Sequence, residues 1–472
     1  MIWIPLLCLG LAPLSPRASD AENAWTVLVY GGSDNDSEES FCPDMADLMD
    51  GLGAPGITVL GFVDRSPHYS SNRRALAGDF AGARLFRFTR GGAVPLDGGD
   101  AFPELRDGGD PEANSGDAAT LARAIRWAKA TAPAERYAVL FYSHGDGRSW
   151  CPDETDGDEL YPAELTDRLE ERDSVDLAVF DVCSMAGIEN AYQWRPREGR
   201  FGIDVVVATP MAGFPFPWRD VFQRIRADGG EGTVAPDRLT PLRFGRLVIE
   251  ETERSRWREL QSGRLPEGLV AELQGEAMTC LDLLQAAAVK RCVDRLAVAL
   301  AAWDGAREAV EGLVGPSEDP RAMHYMFDGE PGWLTMPYFD LLDLARRIAA
   351  HEPAPAAVRE AARIVSLAAD AMVLSSYGLA KYDRYGGFEP GRHGLYVVLP
   401  DGDEPDRAHP RRWGRFGWYH PARRDSEGSY GNYAWCADGA TEGNGAVENW
   451  FELLDAWYDV PGEDGGLNGY RY

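Results

Sequence analysis

The sequence predicts an α/β protein: a doubly wound, mainly parallel sheet flanked by helices, followed by a helix-rich C-terminal region. Five short apolar runs rich in β-branched and aromatic residues punctuate the first half. A segment with helical spacing separates the second run from the third. After about residue 235 the pattern changes to longer helices.

The runs are "WTVLVYG" (25–31), "ITVLGFVD" (57–64), "YAVLFYSHG" (137–145), "VDLAVFDVC" (175–183) and "IDVVVATP" (203–210). Near-continuous apolarity of this length marks strands buried on both faces, as in a parallel sheet. Between them, 116–133 carries Leu121, Ile125, Trp127 and Ala128 near helical spacing, with Asp117 as its cap and Pro133 as its stop. Helices are expected over 281–313, 337–351 and 355–376, with the Gly/Pro/acid-rich stretch 314–332 joining the first two. A late strand at 394–400 and an amphipathic helix at 447–458 complete the pattern. Domain bounds follow as a probable leader over 1–20, a catalytic α/β domain over 21–235, and a mostly helical region over 236–472 packed upon it.

At 472 residues, 44% hydrophobic and 11% aromatic, the chain can bury a sizeable core. A formal net charge of -29 disfavours nucleic acid and anionic lipid, whose binding depends on Lys and Arg neutralising phosphate. The apolar stretch 2–14 is too short to span a bilayer and suits a signal peptide, so the expected location is secreted, periplasmic or cell-surface. No later stretch reaches 18 continuous apolar residues, so no membrane span is expected in the mature chain. Once the leader with Cys8 is removed, Cys42, Cys151, Cys183, Cys280, Cys292 and Cys436 remain. An even number in an oxidising compartment suggests three disulfides, but a catalytic thiol among them would leave one cysteine unpaired.

Ligands of open parallel sheets collect outside the carboxyl ends of the strands. The third run delivers His144 there and the fourth delivers Cys183, 39 residues later. That spacing is comparable to the roughly 50 residues between histidine and cysteine in caspases. Neighbouring strand ends would bring imidazole and thiol together, as a cysteine nucleophile requires. Gly145 and Cys183 could offer backbone N–H groups to an oxyanion. Asp181 lies two residues before Cys183 on the same side of its strand, a position suited to pairing with an Arg or Lys side chain of a substrate. Each signal has a bland reading. His393 and Gly394 form the same His-Gly pair at the wrong end of a strand, a lone cysteine is commonly a small buried hydrophobe, and Asp181 could hold a loop.

Together with their flanks, these segments resemble the clostripain-like cysteine peptidases of the caspase/gingipain clan. "WTVLVYGGSDND" is similar to that family's opening strand and Asp-Asn turn, and "VLGFVDRS" to its second strand. "ATLARAIRWAKATAPAERYAVLFYSHGDG" is similar to its helix and histidine strand. "DETDGDELYPAELTDRLEERDSVDLAVFDVCSMAGIENAYQW" is similar to its nucleophile segment, and "GLYVVLP" and "WFELLDAWY" extend the likeness toward the C-terminus. The resemblance implies a caspase-like fold with His144 as general acid/base, Cys183 as nucleophile and Asp181 as a determinant of basic P1 specificity. It implies protein or peptide substrates and calcium as an activator, for which "PDETDGDE" (152–159) clusters oxygen ligands without following the EF-hand order. It also implies maturation after a basic residue between the two catalytic strands, where Arg148, Arg168 and Arg172 stand. Residues 208–218 carry no carboxylate where the family is often acidic, so basic specificity would rest mainly on Asp181.

The leading expectation is an exported cysteine endopeptidase cleaving after Arg or Lys. The alternative is a catalytically inactive surface or binding protein that keeps the fold. A caspase-like preference for acidic P1 residues is disfavoured by the charge of Asp181. "GLGAPG" (51–56) precedes a strand and contains Pro55, which excludes a dinucleotide turn. No C-x-x-C or H-E-x-x-H occurs, so no dedicated zinc site is expected. "NDS" at Asn35 is a formal glycosylation signal.

Overall fold

The computed structural model describes residues 23–66, 68–69, 76–78, 80–105, 111–227, 230–314, 321–325, 338–399, 428, 430–441 and 443–458. The expected leader lies outside them, as does part of the 314–332 stretch. Thirteen strands are described: β1 (Asn23–Ser33), β2 (Ile57–Arg65), β3 (Gly82–Thr89), β4 (Gly92–Leu96), β5 (Ala134–Tyr142), β6 (Trp150–Asp153), β7 (Asp158–Leu160), β8 (Val175–Asp181), β9 (Ile203–Ala208), β10 (Ala277–Asp282), β11 (Tyr338–Asp340), β12 (Val373–Gly378) and β13 (Tyr396–Val398). The α-helices are α1 (Glu38–Gly51), α2 (Ala118–Thr131), α3 (Pro162–Arg168), α4 (Ile188–Gln193), α5 (Trp218–Gln223), α6 (Pro241–Gln261), α7 (Glu267–Gln274), α8 (Ala286–Ala301), α9 (Ala306–Val314), α10 (Leu341–Ala350), α11 (Ala356–Met372), α12 (Ala434–Ala437) and α13 (Trp450–Tyr458).

Nine strands form one sheet in the order β12-β10-β9-β8-β5-β1-β2-β3-β4. The five strands expected from the sequence are its parallel centre. Alternation along β1 shows why they are apolar throughout: Leu28 and Tyr30 enter the core on one face, while Val27 and Val29 enter the core on the other. The strand order reverses beside β1, with β2 to one side and β5, β8 and β9 to the other. Such a switch point opens a crevice at the carboxyl ends. α2 starts where expected, with the Asp117 side chain accepting the Ala119 N–H at 2.8 Å.

Antiparallel strands extend both edges: β3 and β4 beyond β2, and β10 and β12 beyond β9. β10 and β12 come from beyond residue 235, so the same sheet continues into the C-terminal region. The helix expected over 281–313 is divided, with β10 ending at Asp282 before α8 and α9. Burial between β9 and β12 outweighs helical periodicity there. The helix expected over 355–376 likewise stops at Met372, where β-branched Val373 opens β12. None of the six described cysteines is in a disulfide, so the expected pairings are not formed. Cys280 lies on β10 in the core and Cys292 on α8, half-buried, so they do not share one helix.

Candidate active site

β5 and β8 pair in parallel with Tyr142 opposite Asp181. The 39-residue offset of that register is also the spacing of His144 and Cys183. His144 and Cys183 each stand two residues beyond the last paired positions, at the carboxyl ends of neighbouring strands. Both line one cleft of about 340 Å³ at the carboxyl ends, together with Asp36, Glu39, Ser40, Tyr142, Asp181, Thr209, and the wall formed by Gly213 to Phe216.

The backbone turns sharply after each group. Ser184 has φ 63°, a left-handed conformation rare outside glycine. The turn holds because the Ser184 N–H donates to the Met211 carbonyl at 2.9 Å and the Ser184 carbonyl accepts the Tyr396 hydroxyl at 2.6 Å. On the histidine side, Tyr338 donates its hydroxyl to the Asp146 carbonyl at 2.5 Å. The Tyr338 and Tyr396 rings stack with centroids 4.2 Å apart, so one aromatic pair braces both turns. Gly147, at φ +91°, lies against the same two hydroxyls; a Cβ there would stand 2.6 Å from each.

His144 Nε2 lies 2.6 Å from Asp36 Oδ1. A carboxylate only accepts, so Nε2 donates this hydrogen bond and Nδ1 is the ring nitrogen left for other partners. Asp36 follows Asn35, whose buried side chain reaches the Gly32 carbonyl, Ser143 Oγ and the Pro152 carbonyl, fixing the end of β1 to the end of β5 and to β6. That burial also removes Asn35 from use as a glycosylation acceptor.

Burial pushes the Cys183 thiol up; the Gly213 N–H on its sulfur pulls it down and Asp181 raises it further. The resting sulfur is therefore a thiol. Gly145 packs so tightly that a Cβ would stand 2.4 Å from Val182 Cγ1. Its bridge to Trp150 uses the N–H groups of Asp146 and Cys151, leaving the Gly145 N–H outside that pairing.

Asp181 is 9% exposed and accepts the Phe216 N–H at 3.2 Å and Trp218 Nε1–H at 2.9 Å. Burial first, then the neighbouring Asp44, raises its carboxyl to about 8. Asp44, on α1, accepts the Tyr142 hydroxyl at 2.5 Å and is pushed by burial to about 6. The carboxyl that bears on Asp181 thus comes not from 208–218 but from α1. Asp36 was visible only as part of a turn. Tyr142 had a usable signal, since it stands two residues before His144 as Asp181 does before Cys183.

The cleft wall is fastened from behind by Arg256 of α6, which donates through Nη2 to the carbonyls of Phe214 (3.1 Å) and Pro215 (2.7 Å) and through Nε to buried Glu276 (2.6 Å). Residues 152–159 do not converge as a group. Asp153 meets Asp34 and Glu112, Asp158 accepts from Asn114, and Glu159 accepts from Arg148, Ser149 and Tyr161.

The sequence profile of the clostripain family matches residues 29–457. The chain is 32% identical to clostripain of Hathewaya histolytica over 487 aligned residues, covering 95% of this chain and 89% of that protein. Its fold is similar to that of a secreted C11 cysteine protease from Bacteroides thetaiotaomicron bound to an irreversible peptide inhibitor (TM-score 0.51, 17% identity, 84% of this chain and 98% of that one). It is equally similar to an inactive zymogen C11 protease from Parabacteroides distasonis (TM-score 0.51, 15% identity, 89% and 98%). With its central parallel sheet and a profile match across nearly its whole length, this chain belongs to the clostripain family of cysteine peptidases.

Proposed function

We propose that Cys183 is the nucleophile and His144 the acid/base of an endopeptidase cleaving after Arg or Lys. The observation that supports this reading is the β5–β8 register, by which His144 and Cys183 follow the ends of neighbouring strands and line one cleft. The thiol proton passes to His144 as the sulfur attacks the scissile carbonyl carbon, forming a C–S bond and an oxyanion. The N–H groups of Gly145 and Cys183 stabilise that oxyanion. His144 then protonates the leaving amine as the C–N bond breaks, giving a thioester. Water, deprotonated by His144, displaces the sulfur and releases the new carboxyl terminus. Asp36 stabilises the imidazolium through both transfers.

P1 selectivity rests on Asp181 with Asp44 and the Tyr142 hydroxyl beside it. Asp181 is buried and Asp44 half-buried, both with raised carboxyls, and the guanidinium or ammonium of a substrate would pair with them at the cleft. Export is supported by the leader composition and by relatives described as secreted; among the described residues no helix is long and apolar enough to cross a membrane.

The test is hydrolysis of peptide amides ending in Arg, Lys, citrulline or Asp. Cys183→Ala should lower kcat by about 10⁴-fold or more. Full turnover in that variant would sink the assignment. An intact protein inert on every peptide while still binding one would favour the inactive binding reading.

A further inference from the structure

The cleft is lined by three carboxylates, Asp36, Glu39 and Asp181, and by no Lys or Arg among the described residues. Two of the three are engaged: Asp36 by His144, and Asp181 by the Phe216 N–H and Trp218 Nε1–H. Glu39 is exposed, and its carboxylate meets no donor among the described residues. Its neighbour Glu38 turns inward instead and pairs with buried Arg65 at 2.6 Å. Two acids on the first turn of α1 thus divide, one neutralised in the core and one left facing the cleft.

The side of the cleft that Glu39 serves follows from the chemistry. His144 hands a proton to the leaving amine, so the chain beyond the scissile bond departs past the imidazole. Asp36 holds Nε2 of that ring at 2.6 Å, and the Glu39 N–H donates to the Asp36 carbonyl at 3.4 Å, which sets Glu39 one turn from Asp36 on the same face. Ser40 and Asp44, further along the helix, are both tied to the Tyr142 hydroxyl, among the groups assigned to P1. Glu39 therefore stands between the group that orients the histidine and the groups that would hold P1.

We infer that Glu39 selects a second basic residue, Arg or Lys, at one of the first two positions after the scissile bond. The preferred substrate is then a run of basic residues rather than an isolated one. This rests on the reading of the cleft given above and adds the leaving side to it. An exposed ion pair of this kind changes kcat/KM by about three- to fivefold and weakens in salt. A chain of net charge -29 also attracts every basic peptide at long range, but that attraction does not depend on where in the peptide the charge lies.

The test uses the full chain and internally quenched peptides with Arg at P1 and Lys, Ala or Glu at each of the first two positions beyond it. A peptide with Lys placed further along reports the general attraction. At one of the two near positions kcat/KM should fall in the order Lys, Ala, Glu, with Lys about three- to fivefold above Ala and the ratio closing toward one in about 1 M NaCl. Glu39→Gln should bring the Lys-to-Ala ratio to about one. Glu39→Lys should reverse the order in favour of Glu, which a purely structural role would not produce. Each ratio is internal to one preparation, so a smaller folded fraction does not alter it. The inference is overturned if Lys, Ala and Glu are cut alike at both positions, if the distant Lys helps as much, or if the ratio survives in Glu39→Gln. Those results leave cleavage after Arg standing; no cleavage after Arg or Lys in any peptide would remove the reading of the cleft and this inference together.

Discussion

Burial opposes the charge of Asp181 and raises its carboxyl to about 8, so a P1 cation that pairs with it, as proposed, would have to displace a proton. Binding of an Arg-amide peptide should therefore tighten as pH rises from about 6 to about 8, the range into which burial raises the carboxyls of Asp44 and Asp181. KM measured across that window should fall, and Asp181→Asn should flatten the profile and cost about 10- to 100-fold in kcat/KM for Arg over citrulline. Stability runs the other way. The folded state binds the Asp181 proton more tightly than the unfolded chain, so that stabilisation is full at acid pH and is lost as pH rises through about 8. Thiol reactivity separates the cysteines: Cys42, Cys151, Cys280 and Cys436 are buried, with burial pushing Cys280 up to about 12. Iodoacetamide should label Cys183 and Cys292 and spare the other four until the protein unfolds, as read by peptide mass spectrometry.

The segment from Gly213 to Phe216 depends on an element distant in sequence, the helix α6. Arg256→Ala would strand Glu276 in the core and should cost about 3–5 kcal/mol in chemical denaturation. Arg256→Lys keeps the charge and loses the double grip on the two carbonyls, so stability should largely return while KM for Arg substrates stays raised. At this scale the sequence was legible where one strand announced itself alone. Runs 25–31, 137–145 and 175–183 gave the parallel centre, and the pair His144 and Cys183 followed from where those runs end. β10 and β12 were not legible, because a strand at the flank of a helix is chosen by its partners: Thr279 faces Ala208 and Ser376 across the sheet, contacts no local pattern encodes. Asp44 and Arg256 escaped for the same reason: Asp44 meets Tyr142 98 residues away, and Arg256 reaches Phe214 and Pro215 42 and 41 residues away.

Across the whole molecule, the C-terminal half reaches into the cleft's foundations. Strands β10 and β12 complete one edge of the sheet, and the Tyr338–Tyr396 pair braces the turns after both His144 and Cys183. A chain ended near residue 235 should therefore not give a folded peptidase, as judged by loss of a cooperative melting transition. Tyr338→Phe with Tyr396→Phe should leave the fold intact, since the rings still stack, yet lower kcat more than it changes KM by freeing two strained turns.

The offset shared by the paired strands and the two reactive groups has one more consequence. Because β5 and β8 hold each other along five consecutive positions inside the sheet, the covalent link between them is not what keeps thiol and imidazole in step. A nick at Arg148, within the long connection from β5 to β8, would yield two polypeptides that still behave as one particle, parting only in denaturant.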